Sequence, residues 1–216
     1  MQNIGNAFSY QFKDKQWVNK FLLGSLFVFL AFFLIPIPFL VGYMVQNIRN
    51  TINKAENPMP EWKNLGKMYV EGLKFFVYCL VYSIPVLLII FVMIFGIILS
   101  IALDEPDLIG FFMISFFGLQ GLIMLYALLM NLISPVLYIK YANGEPAKNL
   151  YNFKEIYNFI KNNFTNLLIA IGLSMATGFI VNFGMMIFFI GLFPAAFYAS
   201  TVMAYLYGQI YLEAKK

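Results

Sequence analysis

Residues 162–212 read NNFTNLLIAIGLSMATGFIVNFGMMIFFIGLFPAAFYASTVMAYLYGQIYL, without a charge from Asn162 to Leu212. The run is more than twice the roughly 20 apolar residues that one membrane-spanning helix needs, so it holds two crossings. Gly191-Leu192-Phe193-Pro194, near its middle, supplies the turn. Outward from it lie three more uncharged stretches, Phe21 to Ile48, Phe75 to Leu103 and Leu108 to Ile139. All 14 basic and 10 acidic residues fall in the short islands between.

A chain that is 62% hydrophobic and 11% charged, with mean hydropathy +0.78, excludes an ordinary soluble domain. The uncharged stretches take up most of its 216 residues, so residues 1–216 read as one integral membrane domain. The apolar run after Lys13, Lys15 and Lys20 is too long for a signal-peptide core and lacks a small-residue cleavage exit, so it reads as retained. Cys79, the single cysteine, reads as a small packed thiol. The net charge of +4 is spread singly along loops that flank apolar stretches, which suits anionic lipid rather than nucleic acid.

Loops rich in Lys and Arg stay in the cytoplasm. Lys13, Lys15 and Lys20 precede the first apolar stretch, and Arg49, Lys54, Lys63, Lys67 and Lys74 follow it. Lys140, Lys148, Lys154 and Lys161 form the next basic island, and Lys215 and Lys216 close the chain. Asp104-Glu105-Pro106-Asp107 has three acids and no base and reads as outward-facing. The first stretch, basic on both flanks, must therefore enter and return, and Pro36 and Pro38 break the helix at its middle. The expectation is an all-α polytopic bundle of three consecutive helical hairpins, at about 17–53, 65–140 and 164–213. That gives six membrane segments, the first two short, with both termini cytoplasmic in the cell membrane. The competing arrangement is one long kinked helix over the first stretch, five spans, and the N-terminus outside.

Amphipathic interfacial helices are expected at about 4–16, 61–74 and 149–162. Trp62, Leu65, Tyr69, Leu73 and Phe76 share one face against Lys63, Lys67, Glu71 and Lys74. Leu150, Phe153, Ile156, Ile160 and Phe164 repeat the pattern against Lys154, Asn158 and Lys161. Such helices lie in the headgroup plane, which makes Lys63, Lys67, Lys154 and Lys161 candidate headgroup ligands. Two turns, Ala55-Glu56-Asn57-Pro58 and Asn143-Gly144-Glu145-Pro146, echo each other ahead of these helices. Tyrosines and tryptophans at the boundaries suggest an aromatic belt.

Ala196, Ser200, Ala204 and Gly208 recur every four residues as a smooth stripe, and Gly172 with Ala176 offers a matching surface on the preceding span. Asn131 and Asn182 are polar groups inside apolar stretches, read as interhelical hydrogen bonds or as lining a small cavity. No Asp, Glu, Lys, Arg or His interrupts the uncharged stretches, which argues against ion-coupled transport. Asp14, Glu61, Glu71 and Glu155 are the only candidate catalytic acids, and pairing with nearby lysines on solvated helix faces accounts for them. With no histidine and one cysteine, neither a zinc site nor a cofactor is expected.

Phe12-Lys13-Asp14-Lys15-Gln16-Trp17 with Lys20, the proline-interrupted stretch, Gly42-Tyr43, Arg49, Pro60-Glu61-Trp62, Glu71-Gly72-Leu73 and the closing Tyr207-Gly208-Gln209 resemble the domain of unknown function 4013 family of bacterial and archaeal membrane proteins. The resemblance implies a multi-pass membrane fold and no established activity. Its members usually carry glycine near the turn where this chain has Ala55-Glu56-Asn57. The expected function is a non-enzymatic scaffold or assembly subunit, with membrane lipids or another membrane protein as partner. The alternative is a carrier or channel for a small uncharged or lipid-like substrate.

Overall fold

The computed structural model describes residues 4–187 and 190–215, and no strand occurs among them. The helices are α1 (Ile4–Ser9), α2 (Trp17–Leu30), α3 (Ile37–Ile52), α4 (Leu65–Ala102), α5 (Pro106–Ala142), α6 (Ala147–Leu150), α7 (Phe153–Asn162), α8 (Phe164–Met186) and α9 (Leu192–Ala214). Short 3-10 segments follow α1 (Tyr10–Lys13) and α2 (Ala31–Phe33).

The first apolar stretch breaks where the prolines demand it. Leu34 adopts φ 63° between α2 and α3, a left-handed conformation that costs a bulky L-residue about 1–2 kcal/mol. Pro36 and Pro38 then start α3, where a missing N–H leaves no bond unmade. Three later helices end in one motif. Lys54, Asp104 and Gly144 lie at φ 55°, 56° and 81° just beyond α3, α4 and α5. The N–H of the following residue then bonds back to Asn50, Ser100 or Lys140, satisfying carbonyls that the helix end would leave open.

Three helices, α4, α5 and α8, are long and apolar enough to cross a membrane. Two of the six expected segments, α2 and α3, are too short for this, at 14 and 16 residues. α9 has the length and falls short in apolarity. The reason lies in its surroundings: α9 packs against α1, α2, α3 and α8 and buries Thr201–Ala204, Leu206–Gly208, Ile210 and Tyr211, so it needs less lipid compatibility. The expected separate helix at 61–74 is absent as such, because residues 65–74 are the first turns of α4 and residues 61–64 belong to the preceding strap. α1 and its 3-10 segment meet α2 at a bend of 103°.

The chain divides into two compact units. One comprises Met1–Phe76 and Leu132–Lys216, the other Val77–Asn131. In the first, glycines mark close crossings. A Cβ on Gly42 of α3 would fall 2.1 Å from the Met68 carbonyl oxygen of α4, and one on Gly72 would fall 1.9 Å from that of Pro38. Gly24 of α2 admits the Phe197 ring of α9, and Gly208 of α9 admits Thr51 of α3. In the second unit, Phe112 covers Gly96 and the Tyr126 hydroxyl donates to the Tyr82 carbonyl, while Gly110, Gly118 and Gly121 face open space. None of the most apolar window of α5 is buried.

Candidate functional site

Most buried polar groups of the first unit gather around α2, α3 and α9, with Lys140, Asn163 and Thr177 elsewhere. Lys20, on the first turns of α2, is 6% exposed. Its Nζ meets Asp14 Oδ2 at 2.5 Å and donates to the Met59 carbonyl at 2.8 Å. The Gln16 N–H fixes the other Asp14 oxygen at 2.8 Å. A lysine so close to an apolar stretch survives burial because carboxylate and carbonyl replace its water.

The strap between α3 and α4 closes over this pair. Trp62 Nε1 donates to the Lys20 carbonyl at 3.0 Å, and its ring stacks between Tyr43 (4.4 Å) and Phe27 (4.7 Å). Asn50 Nδ2 holds the Pro58 carbonyl at 3.1 Å. Expected as belt residues, Trp62, Tyr43, Tyr10 and Tyr207 instead pack within the protein.

A second ion pair joins Arg49 of α3 to Glu71 of α4 at 2.5 Å, with Gln46 donating to the same carboxylate at 3.2 Å. Arg49 Nε also caps the Ala142 carbonyl that ends α5 at 3.0 Å, where a cation is favoured. A third cluster centres on Lys140, whose Nζ reaches Glu145 and Glu155 at 2.8 Å each. Asn152 caps α7 through the Glu155 N–H and donates back to the Glu155 side chain at 2.8 Å.

The fourth group is uncharged. The Tyr10 hydroxyl donates to the Thr201 carbonyl at 3.0 Å and accepts from Asn47 Nδ2 at 2.8 Å, while Gln11 Nε2 reaches Thr201 Oγ1 at 3.3 Å. Burial pushes the Tyr10 phenol well above its usual value, so it stays a neutral donor.

All four candidate acids therefore pair, but Asp14 does so buried and Glu71 half-buried rather than on solvated faces. Glu61, on the exposed strap, is held below the usual carboxylate range by the hydrogen bond and charge of Lys63. Glu71 pairs with Arg49 instead of the lysine one turn away. The buried face of early α4 is Met68, Gly72 and Phe75, and Leu65, Leu73 and Phe76 are exposed. The expected amphipathic face there is displaced because Gly72 must meet α3 and Phe75 packs on Tyr138 and Tyr141.

The predicted residues are distributed unevenly. Lys63, Lys67, Lys154 and Lys161 are all exposed. Ala204 and Gly208 are buried and Ala196 and Ser200 half-buried, but Gly208 meets α3. Gly172 and Ala176 are exposed, and nothing lies near a Cβ built on Gly172. α8 turns Leu167, Ala170, Thr177 and Gly184 inward instead, and Gly184 is the residue that touches Gly191 and Ala195. Asn131 and Asn182 are exposed, and each donates to the carbonyl four residues earlier in its own helix, at 2.9 and 3.0 Å.

Sequence reasoning missed the Tyr10–Gln11–Asn47–Thr201 network and the Lys20 burial. The only trace of either is a polar residue where apolar neighbours prevail.

The family described as "Protein of unknown function (DUF4013)" matches residues 25–190. The chain belongs to the DUF4013 family. The matched span contains Trp62 of the strap and Gly42, Arg49, Glu71 and Gly72 of the α3–α4 crossing and its ion pair, whereas Asp14, Lys20 and α9 lie outside it. Comparisons with curated proteins and with solved structures gave no match.

Proposed function

We propose that this DUF4013 protein is a non-enzymatic, multi-pass scaffold of the cell membrane whose cytoplasmic face grips anionic lipid headgroups or a membrane partner. One observation carries the reading: every basic residue belongs to the unit of residues 1–76 and 132–216, whereas the Asp104–Asp107 connector of the other unit has three acids and no base. On this reading α2, α3, α4, α5, α8 and α9 are six membrane segments, with short α2 and α3 shielded by protein, and both termini lie inside. Lys63, Lys67, Lys154 and Lys161 form an exposed collar. The non-enzymatic reading rests on Asp14, Glu71 and Glu155 being committed to ion pairs. A carrier reading draws less support, because Asn131 and Asn182 bond within their own helices.

Replacing the four collar lysines with glutamine should reduce phosphatidylglycerol co-purification severalfold, since each surface cation contributes about 1 kcal/mol; unchanged lipid content removes the headgroup role. In a Cys79→Ser background, cysteines at Ile37, Glu105 and Leu192 should react with an impermeant maleimide from outside, and one at Gly5 only after permeabilisation. External labelling at position 5 replaces six segments with five.

A further inference from the structure

A cleft of about 300 Å3 lies between the Tyr10–Lys13 segment, the end of α3, the strap after it and the last turns of α9. Tyr10, Lys13, Lys54, Glu56, Tyr205 and Gln209 supply its chemistry. Its floor is preformed. Tyr10 is buried, its hydroxyl is engaged by Thr201 and Asn47, and its ring stacks on Tyr205 with centroids 4.6 Å apart. Thr51, also buried, is fixed by its bond to the Asn47 carbonyl at 3.0 Å. Such a floor needs no ordering when a ligand arrives, so the binding cost falls on the exposed Lys13, Lys54 and Glu56 side chains.

The charges lining the cleft are two ammonium groups and one carboxylate. A simple anion would be opposed by Glu56, and a simple cation by Lys13 and Lys54. A ligand carrying both a phosphodiester and a primary amine satisfies all three, with Tyr205 and Gln209 as further polar residues of the lining.

Lys54 holds the left-handed position that ends α3, as Asp104 and Gly144 hold those that end α4 and α5. Glycine adopts that backbone without a Cβ clash, so at residue 54 local conformation opposes the side chain that lines the cleft.

We propose that this cleft binds a phosphoethanolamine group, carried by phosphatidylethanolamine or by soluble glycerophosphoethanolamine. The proposal rests on the membrane placement above but not on the collar lysines. The phosphodiester sits between Lys13 and Lys54, and the amine faces Glu56.

The test uses the full-length protein in nanodiscs of mixed phosphatidylglycerol and phosphatidylethanolamine, with native mass spectrometry of the lipid retained on extraction. Wild type should retain phosphatidylethanolamine above its share, and Lys13→Gln with Lys54→Gln should reduce that retention about tenfold. Glu56→Gln should abolish the preference over phosphatidylglycerol. Lys54→Gly should melt no lower than wild type yet lose retention, which separates ligand loss from misfolding; retention unchanged in this variant overturns the proposal. The collar variant should lose phosphatidylglycerol and keep phosphatidylethanolamine, so the two readings fail separately. Displacement of the lipid by glycerophosphoethanolamine supports the chemistry and assigns a soluble ligand. Retention in its presence supports the lipid, and binding of neither overturns the site.

Discussion

Lys20 of α2 is held by Asp14 and by a carbonyl from a distant strap, whereas buried Ser100 of α4 donates at 2.7 Å to Gly96, one turn back in its own helix. The contrast between the two units is one of degree. Around α2, α3 and α9, polar groups bind across helices, as in Tyr10–Thr201, Asn47–Tyr10 and Arg49–Glu71. Between residues 77 and 131, Ser100 and Asn131 bond within their helices, Tyr126 crosses from α5 to the Tyr82 carbonyl of α4, and most large apolar side chains are exposed. A helix that meets lipid must satisfy its polar atoms alone, and a helix that meets protein can share them. High hydropathy therefore picks out the exposed helices, and α9, with ten of its 23 residues buried, is less apolar than they are.

The sharpest way to break this comparison is to remove one buried charge. Asp14→Ala should cost about 3–5 kcal/mol by stranding Lys20, with Lys20→Met added to Asp14→Ala recovering much of it. Ser100→Ala should cost under about 1 kcal/mol. Denaturant or SDS unfolding in mixed micelles measures both; equal losses would erase the distinction between the units. A smaller effect sharpens it. Gly42→Ala drives a methyl into the Met68 carbonyl and should cost about 1–3 kcal/mol, while Gly118→Ala, facing open space, should be neutral or gain up to about 1 kcal/mol. Thermal midpoints of the two variants should move in opposite directions or, at the least, differ clearly.

Element ends were readable from the chain because proline and chain-reversal chemistry are local. The break at Pro36 and Pro38 and the stop before Pro106 follow from neighbours in sequence. Partner choice was not readable. Gly172 and Gly184 have the same small surface, and only the path of α9 makes the second the contact. Lipid and protein are equally apolar neighbours, so periodicity could not say which face of α4 meets α3. The Lys20–Asp14 pair was hidden for another reason: its third partner, the Met59 carbonyl, carries no side-chain signature.

Because α9 packs against α1, α2, α3 and α8, helices made early in the chain complete their core with one made much later. Tyr10 and Gln11 wait for Thr201 throughout synthesis of nearly two hundred intervening residues. Until then the nascent chain carries unfinished polar seams. Completion of this core is thereby set by the arrival of α9 rather than by the pairing of α2 with α3.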